Sequence, residues 1–181
     1  MEFIVHSTQT ASDESARQLE GIASHFGFVP NLLGVMAESP ELLKGYLQLG
    51  QLFSQTSLSP VEQQVVLLQT SYTNDCTYCV AAHTTIAAGQ NLPEDVVDAI
   101  REDREIGDPR LEALRRFTVA VVKSRGWPDQ QSVDDLMAVG YSGRNMLEVV
   151  LGVGMKTLSN YTNHMAATPL DPAFEKAVWS G

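Results

Sequence analysis

Apolar positions recur along the whole chain at spacings of three and four, and no alternation of period two persists, so the pattern predicts helices from end to end. Ser12 caps a first helix with Ala16, Leu19, Ile22, Ala23 and Phe26 on one stripe; Gly27 ends it and Phe28-Val29-Pro30 turns the chain. Ser39-Pro40 and Ser59-Pro60 each place a cap before a proline at the first helical position. The first opens a helix with Leu43, Leu47, Leu49 and Phe53 inward until Ser57, the second a helix from Val61 to about Thr73 with Val65, Leu68 and Ser71 on one stripe. Another helix closes near Gly89, and Leu92-Pro93-Glu94-Asp95 starts a short one. Asp108-Pro109 starts a longer one through Leu111, Leu114, Phe117, Val121 and Val122, ended by Gly126-Trp127-Pro128. Ser132 to Val139 is short and stopped by Gly140; Ser142 or Gly143 begins a strongly apolar helix through Tyr161, and Asp171-Pro172 starts a terminal turn or helix. The expectation is an all-α bundle of eight to nine helices.

No tract rich in Gly, Ser or Pro, no low-complexity segment and no repeat period divides the chain, so residues 1–181 read as one domain. The stretch Asn145 to Met155 is apolar nearly all round, with Gly152 and Gly154 permitting close approach of backbones. Such a helix is buried on several sides, within a large core or between subunits, and a homo-oligomer is expected.

Composition narrows the function classes. With 44% hydrophobic and 19% charged residues the chain reads as an ordinary globular protein with its own core. Its net charge of −10 argues against nucleic acid as a partner. Met1-Glu2-Phe3-Ile4-Val5-His6 lacks the basic and apolar regions of a secretory signal, and no apolar run approaches a membrane span, so no membrane partner and a cytoplasmic location are expected.

The two cysteines are Cys76 and Cys79, and His83 follows four residues later, in phase with Cys79 on a helix. A vicinal pair of this spacing in a reducing compartment points to thiol redox chemistry or to a metal. With Asn74 or Asp75 as N-cap, Cys76 would occupy the first helical turn, where free backbone N–H groups favour a thiolate. Zinc would need a fourth ligand beyond Cys76, Cys79 and His83, from His25, His164 or a carboxylate. The plainer alternatives are cysteines that pack as small hydrophobes and a histidine satisfied by its own helix. Tyr78 reads as a packing residue, Trp127 and Trp179 as packing or interface residues, and Glu102-Asp103-Arg104-Glu105 as a solvated face.

Leu58-Ser59-Pro60-Val61-Glu62-Gln63-Gln64 followed by Asn74-Asp75-Cys76-Thr77-Tyr78-Cys79-Val80-Ala81-Ala82-His83 resembles the signature of the carboxymuconolactone decarboxylase superfamily, in particular its alkyl hydroperoxidase D-like, peroxidase-related branch. Asn160-Tyr161-Thr162-Asn163-His164 with Leu170-Asp171-Pro172 is similar to the carboxyl end of that branch. The resemblance implies an all-helical fold that assembles into trimers, hexamers or related rings. It implies that Cys79 attacks a hydroperoxide as a thiolate and becomes a sulfenic acid, that Cys76 resolves it to a disulfide, and that a dithiol protein or small thiol reduces the pair again. His83 would be the local base or hydrogen-bond partner.

The chain departs from that pattern at two positions. Where family members often carry a glutamate twelve residues before the first cysteine this chain has Gln64, which can orient a histidine but cannot take a proton. Where some place a histidine between the cysteines it has Tyr78. Glu62 lies about 200° from Gln64 around a helix, so it should not substitute for the missing base. Glu62 and Gln64 could both be ordinary surface residues, and His164 is the weakest supporting candidate. The reading is a thiol-dependent peroxidase-like oxidoreductase needing no metal or organic cofactor; a disulfide reductase or redox sensor, or a metal-binding or scaffold module, are the alternatives.

Overall fold

Serine, aspartate and proline set most of the helix starts. In this computed structural model, which describes residues 3–181, the chain forms α1 (Asp13–Phe26), α2 (Asn31–Met36), α3 (Pro40–Ser54), α4 (Pro60–Thr73), α5 (Thr77–Gly89), α6 (Glu94–Arg101), α7 (Pro109–Ser124), α8 (Gln130–Ala138) and α9 (Gly143–Ala166), then a 3-10 helix at Pro172–Ala177. No strand occurs among the described residues. The fold is the expected all-α bundle. Ser12, Ser39, Ser59, Asp108 and Asp129 each accept a backbone N–H from their helix's first turn. Four boundaries differ from the sequence expectation: the short α2 follows Pro30 directly, α3 ends at Ser54 and not at Ser57, α8 begins after the cap Asp129 instead of Ser132, and α9 continues past Tyr161 to Ala166.

The turn between α4 and α5 fixes the cysteines, and it corrects a second expectation. Asp75 is in the left-handed region (φ 54°), the Cys76 N–H reaches back to the Ser71 carbonyl (2.9 Å) and the Asp75 N–H to that of Tyr72 (3.0 Å). This paired arrangement ends α4, with Asp75 in the place glycine usually takes. Asn74 and Asp75 therefore terminate one helix instead of capping the next, and Cys76 itself is the N-cap of α5.

α4 is central, packed against α5, α6, α7 and α9, while α3 lies along α9 and the 3-10 helix covers α5. One apolar cluster joins Phe53, Val65, Val66, Leu68, Ile100, Leu114, Leu136 and Val149. A second gathers Leu19, Leu33, Met36, Leu43, Tyr78 and Phe174 around the two cysteines. Each fully buried large side chain contributes roughly 1.5–3 kcal/mol. Gly152 sets the approach of α9 to both α3 and α4, since a Cβ there would meet Phe53 at 2.7 Å and Val66 at 2.8 Å. The Asn145–Met155 segment is buried on one side only: Glu148, Val149, Gly152 and Met155 face inward, while Leu147 and Val150 face out. Trp127 is exposed, whereas Trp179 packs on Tyr72 and donates its ring N–H to the Arg101 carbonyl (3.1 Å).

Candidate active site

Cys76 and Cys79 sit at the start of α5, both buried and both free thiols. The facing surface is the second half of α9, where Lys156, Ser159, Asn160 and Asn163 recur at i, i+3, i+4 and i+7 and so line one side of the helix. All four are buried. The Asn163 side-chain N–H₂ donates to the Cys79 sulfur (3.2 Å) and reaches the Cys76 sulfur (3.7 Å), so one amide touches both thiols. Ser159 Oγ lies 3.8 Å from the Cys79 sulfur, and Asn160 is anchored by the Asn74 amide (2.9 Å).

Lys156 is the residue that sequence reading does not find. Its side chain is only 1% exposed, and its ammonium donates to His83 Nε2 (3.0 Å). A charged ammonium can only donate, so Nε2 is the accepting nitrogen and the ring proton sits on Nδ1, which donates to Gln64 Oε1 (3.0 Å). Gln64 and His83 thus face the site, in the order Gln64, His83, Lys156 and then the thiols. His83 meets the ammonium and not the sulfur. The signal available in the sequence was the helical spacing of the polar residues at 156, 159, 160 and 163.

Charge follows from this packing. Burial and the Lys156 charge push the His83 pKa well below its ordinary value, so the ring is neutral. Burial alone would drive the Lys156 ammonium toward its neutral form, but attraction to Cys79 holds its pKa above the usual lysine value. Burial would likewise raise the Cys79 pKa, yet the S–H of Cys76 directed at its sulfur and the positive Lys156 bring it well below an ordinary thiol. Cys76 is pushed strongly upward, first because its S–H is engaged with Cys79 and then by burial. The low-pKa thiol is therefore Cys79, and the first-turn effect expected at Cys76 is overridden by its neighbour.

Of the other candidates, Tyr78 packs edge-on against Phe174, donates its hydroxyl to Asp171 (2.5 Å) and accepts the Leu32 N–H (3.2 Å). Burial and the Asp171 bond raise its pKa, so it is a neutral packing group. Glu62 is neither a surface residue nor part of this site. It is buried, closes a capping box with Ser59 and binds Tyr141 Oη (2.7 Å) and Arg110 Nε (3.2 Å). His164 is exposed in the last turn of α9, on the rim of a cleft beside Cys76. His25 is exposed at the end of α1, and among the described residues no three His, Cys, Asp or Glu side chains converge as metal ligands.

A cavity of about 310 Å³ opens onto Cys79, His83 and Lys156. Its walls are apolar: Phe28, Leu32, Leu33, Tyr46, Leu47 and Phe174 among them. Cys79 and the Lys156 ammonium thus share an apolar-walled pocket, an arrangement suited to nucleophilic attack on a small, largely apolar electrophile. No helix of the described chain is long and apolar enough to cross a membrane.

Residues 40–120 match the carboxymuconolactone decarboxylase family. Among solved structures the chain is similar to the alkylhydroperoxidase AhpD core of a peroxidase-related protein from Ralstonia eutropha JMP134, with 20% identity, TM-score 0.84, and coverage of 96% of this chain and 93% of that one. A peroxidase-related protein from Silicibacter sp. TM1040 superposes with TM-score 0.79 at 18% identity, over 90% and 87% of the two chains. The debrominase Bmp8, whose cysteine-to-alanine variant was solved in complex with 2,3,4-tribromopyrrole, matches with TM-score 0.79 at 20% identity, over 98% of this chain and 96% of that one. No curated protein matches the sequence.

Proposed function

We propose that this chain, whose residues 40–120 match the carboxymuconolactone decarboxylase family and whose fold is alkylhydroperoxidase D-like, is a thiol-dependent peroxidase whose Cys79 and Cys76 cycle through a disulfide. The observation that carries this reading is the buried Lys156 ammonium next to a buried low-pKa Cys79 at the floor of an apolar cavity. Lys156 supplies the charge that the missing glutamate relay would otherwise have to generate. Gln64 fixes the His83 tautomer, and His83 holds the ammonium in place.

The steps balance without a metal or organic cofactor. The Cys79 thiolate attacks the terminal oxygen of a hydroperoxide, the O–O bond breaks, and the leaving alkoxide takes a proton from Lys156. Cys79 becomes a sulfenic acid and Lys156 neutral. The Cys76 sulfur then displaces hydroxide from that sulfur, its own proton completing a water molecule, and the disulfide forms. A dithiol returns two electrons and two protons, one proton to Cys76 and one to Lys156, restoring the thiolate–ammonium pair.

A second copy of the chain is the further partner in this reading. Leu147, Val150, Gly154, Leu158, Tyr161 and Met165 follow one another at spacings of three and four along the outer face of α9, with Leu147, Val150, Tyr161 and Met165 exposed. Sedimentation of Val150→Glu against the parent tests it: the parent assembles as a trimer or larger ring and the variant shifts toward monomer.

The primary test is the rate at which the reduced protein is oxidised by a hydroperoxide at neutral pH, with mass spectrometry of Cys76 and Cys79 and Cys79→Ser alongside. Rapid formation of an intramolecular disulfide that requires Cys79 is expected; oxidation no faster than a free thiol overturns the reading. The apolar cavity favours one second reading, reductive debromination of a haloaromatic, in which the two thiols give up two electrons and become a disulfide, one of their protons replaces the bromine on carbon and bromide leaves with the other; a debrominase shares the fold. Turnover of a bromopyrrole with bromide release, and none of hydroperoxides, would select it.

A further inference from the structure

The two sulfurs border different openings. Cys79 lies on the apolar cavity and Cys76 on a separate cleft of about 250 Å³, formed with Thr77, Asn163, His164, Ala167 and Thr168. Tyr78 lines both. The second cleft differs in chemistry as well as position. Two buried oxygens of its lining residues, Asn163 Oδ1 and Thr168 Oγ1, have no hydrogen-bond partner among the described residues, and Asn163 itself is only 5% exposed. Unsatisfied buried acceptors favour a visitor that brings N–H or O–H donors.

From this placement we propose that oxidant and reductant reach the disulfide through separate openings: the oxidant meets Cys79 through the apolar cavity, and a small, donor-bearing dithiol attacks Cys76 through the polar cleft. The inference rests on the disulfide cycle above and adds which sulfur the reductant attacks and from where. The thiolate of the dithiol forms a bond to the Cys76 sulfur, the Cys76–Cys79 bond breaks, and Cys79 departs with the electron pair. The second thiol of the reductant then attacks the mixed disulfide, closes the oxidised reductant and leaves its proton on Cys76. The leaving-group preference agrees with the geometry. Exchange is faster when the departing sulfur is the more stable thiolate, and Asn163 and Lys156 stabilise Cys79. Attack in the other direction would have to expel Cys76, which the same Asn163 amide reaches only at 3.7 Å.

The test begins from disulfide made with a chemical oxidant such as diamide, so that it does not depend on peroxide turnover. Treating the oxidised protein with excess glutathione, quenching in acid and mapping the adduct by mass spectrometry is expected to place glutathione on Cys76 in at least nine-tenths of the mixed disulfide. Thr77→Trp, which narrows the polar cleft, is expected to lower the rate of reduction by dithiothreitol at least tenfold more than it lowers the rate of oxidation by cumene hydroperoxide. Glutathione found mainly on Cys79, or both rates falling equally in Thr77→Trp, overturns the inference while leaving the redox cycle intact. Failure of diamide to form any Cys76–Cys79 disulfide overturns the cycle and this inference with it.

Discussion

Glu62 on α4 and Lys156 on α9 are both buried charges, and they are held in opposite ways. Glu62, in the first turn of α4, is fully engaged: the Ser59 N–H (2.7 Å), the Tyr141 hydroxyl (2.7 Å) and Arg110 (3.2 Å) surround it, and these bonds outweigh burial to keep its pKa low. Lys156 has the neutral His83 as its one hydrogen-bond partner at normal length among the described residues, and its remaining support is the charge of a thiolate. The first cluster closes a cap and ties α4 to α7 and to the start of α9. The second opens on a cavity, and its counter-charge is itself a nucleophile. Burial of a charge therefore does not by itself mark a functional site; what sets Lys156 apart is that its charged neighbour is a thiol open to a cavity.

Substitutions at the two clusters should separate cleanly. The largest effect is expected for Cys79→Ser, which eliminates the intramolecular disulfide and peroxide consumption, read by mass spectrometry and a coupled peroxide assay. Next is Lys156→Met, which removes the ammonium while keeping the side-chain volume. Without it Cys79 reverts to an ordinary or higher pKa, and a thiol of pKa about 8.5 is only about 3% thiolate at pH 7. Its oxidation rate at pH 7 should fall at least ~30-fold and climb with pH toward 9, where the parent's rate is flat around neutrality. A rate within threefold of the parent would remove the distinction drawn between the clusters.

Glu62→Gln should show the converse. Losing the carboxylate's bonds to Tyr141, Ser59 and the half-exposed Arg110 should cost about 1–3 kcal/mol of stability in urea unfolding, with the oxidation rate of the folded protein unchanged. Gln64→Glu places a carboxylate against His83 Nδ1. It should raise peroxide turnover severalfold and add a histidine-dependent limb to the pH profile; an unchanged profile would detach Gln64 from the thiols. The smallest effect concerns His83 itself. Its folded pKa lies well below the unfolded value of about 6.5, so between the two the unfolded chain binds more protons and stability falls as pH drops. The parent should lose up to about 1.4 kcal/mol per pH unit more than His83→Gln over that window, measured as urea midpoints under reducing conditions.

Much of the fold was legible because it rests on local signals. Ser39-Pro40, Ser59-Pro60 and Asp108-Pro109 each start a helix where the sequence places one, and Gly27 and Gly140 stop one. The errors are instructive for the same reason. Asn74-Asp75 suits a helix N-cap and a left-handed helix end equally well, and only the return bond from Cys76 to Ser71 decides between them. α2 has six residues, too few for a periodic pattern to declare itself.

For the site, the sequence by itself determined the cysteine pair, its spacing and the histidine in phase, because those are relations within one helix. It could also say that Gln64 takes no proton. It could not say that Glu62 is a buried structural carboxylate, that Tyr78 is held by Asp171, ninety-three residues away, or that Lys156 lies beside Cys79. These are relations between helices distant in the chain, brought together when Gly152 lets α9 seat against α3 and α4. Which cysteine has the lower pKa depends on that packing: a thiolate's energy follows the charges and dipoles around it in space, and beside the neighbouring Cys76 those at Cys79 come from α9.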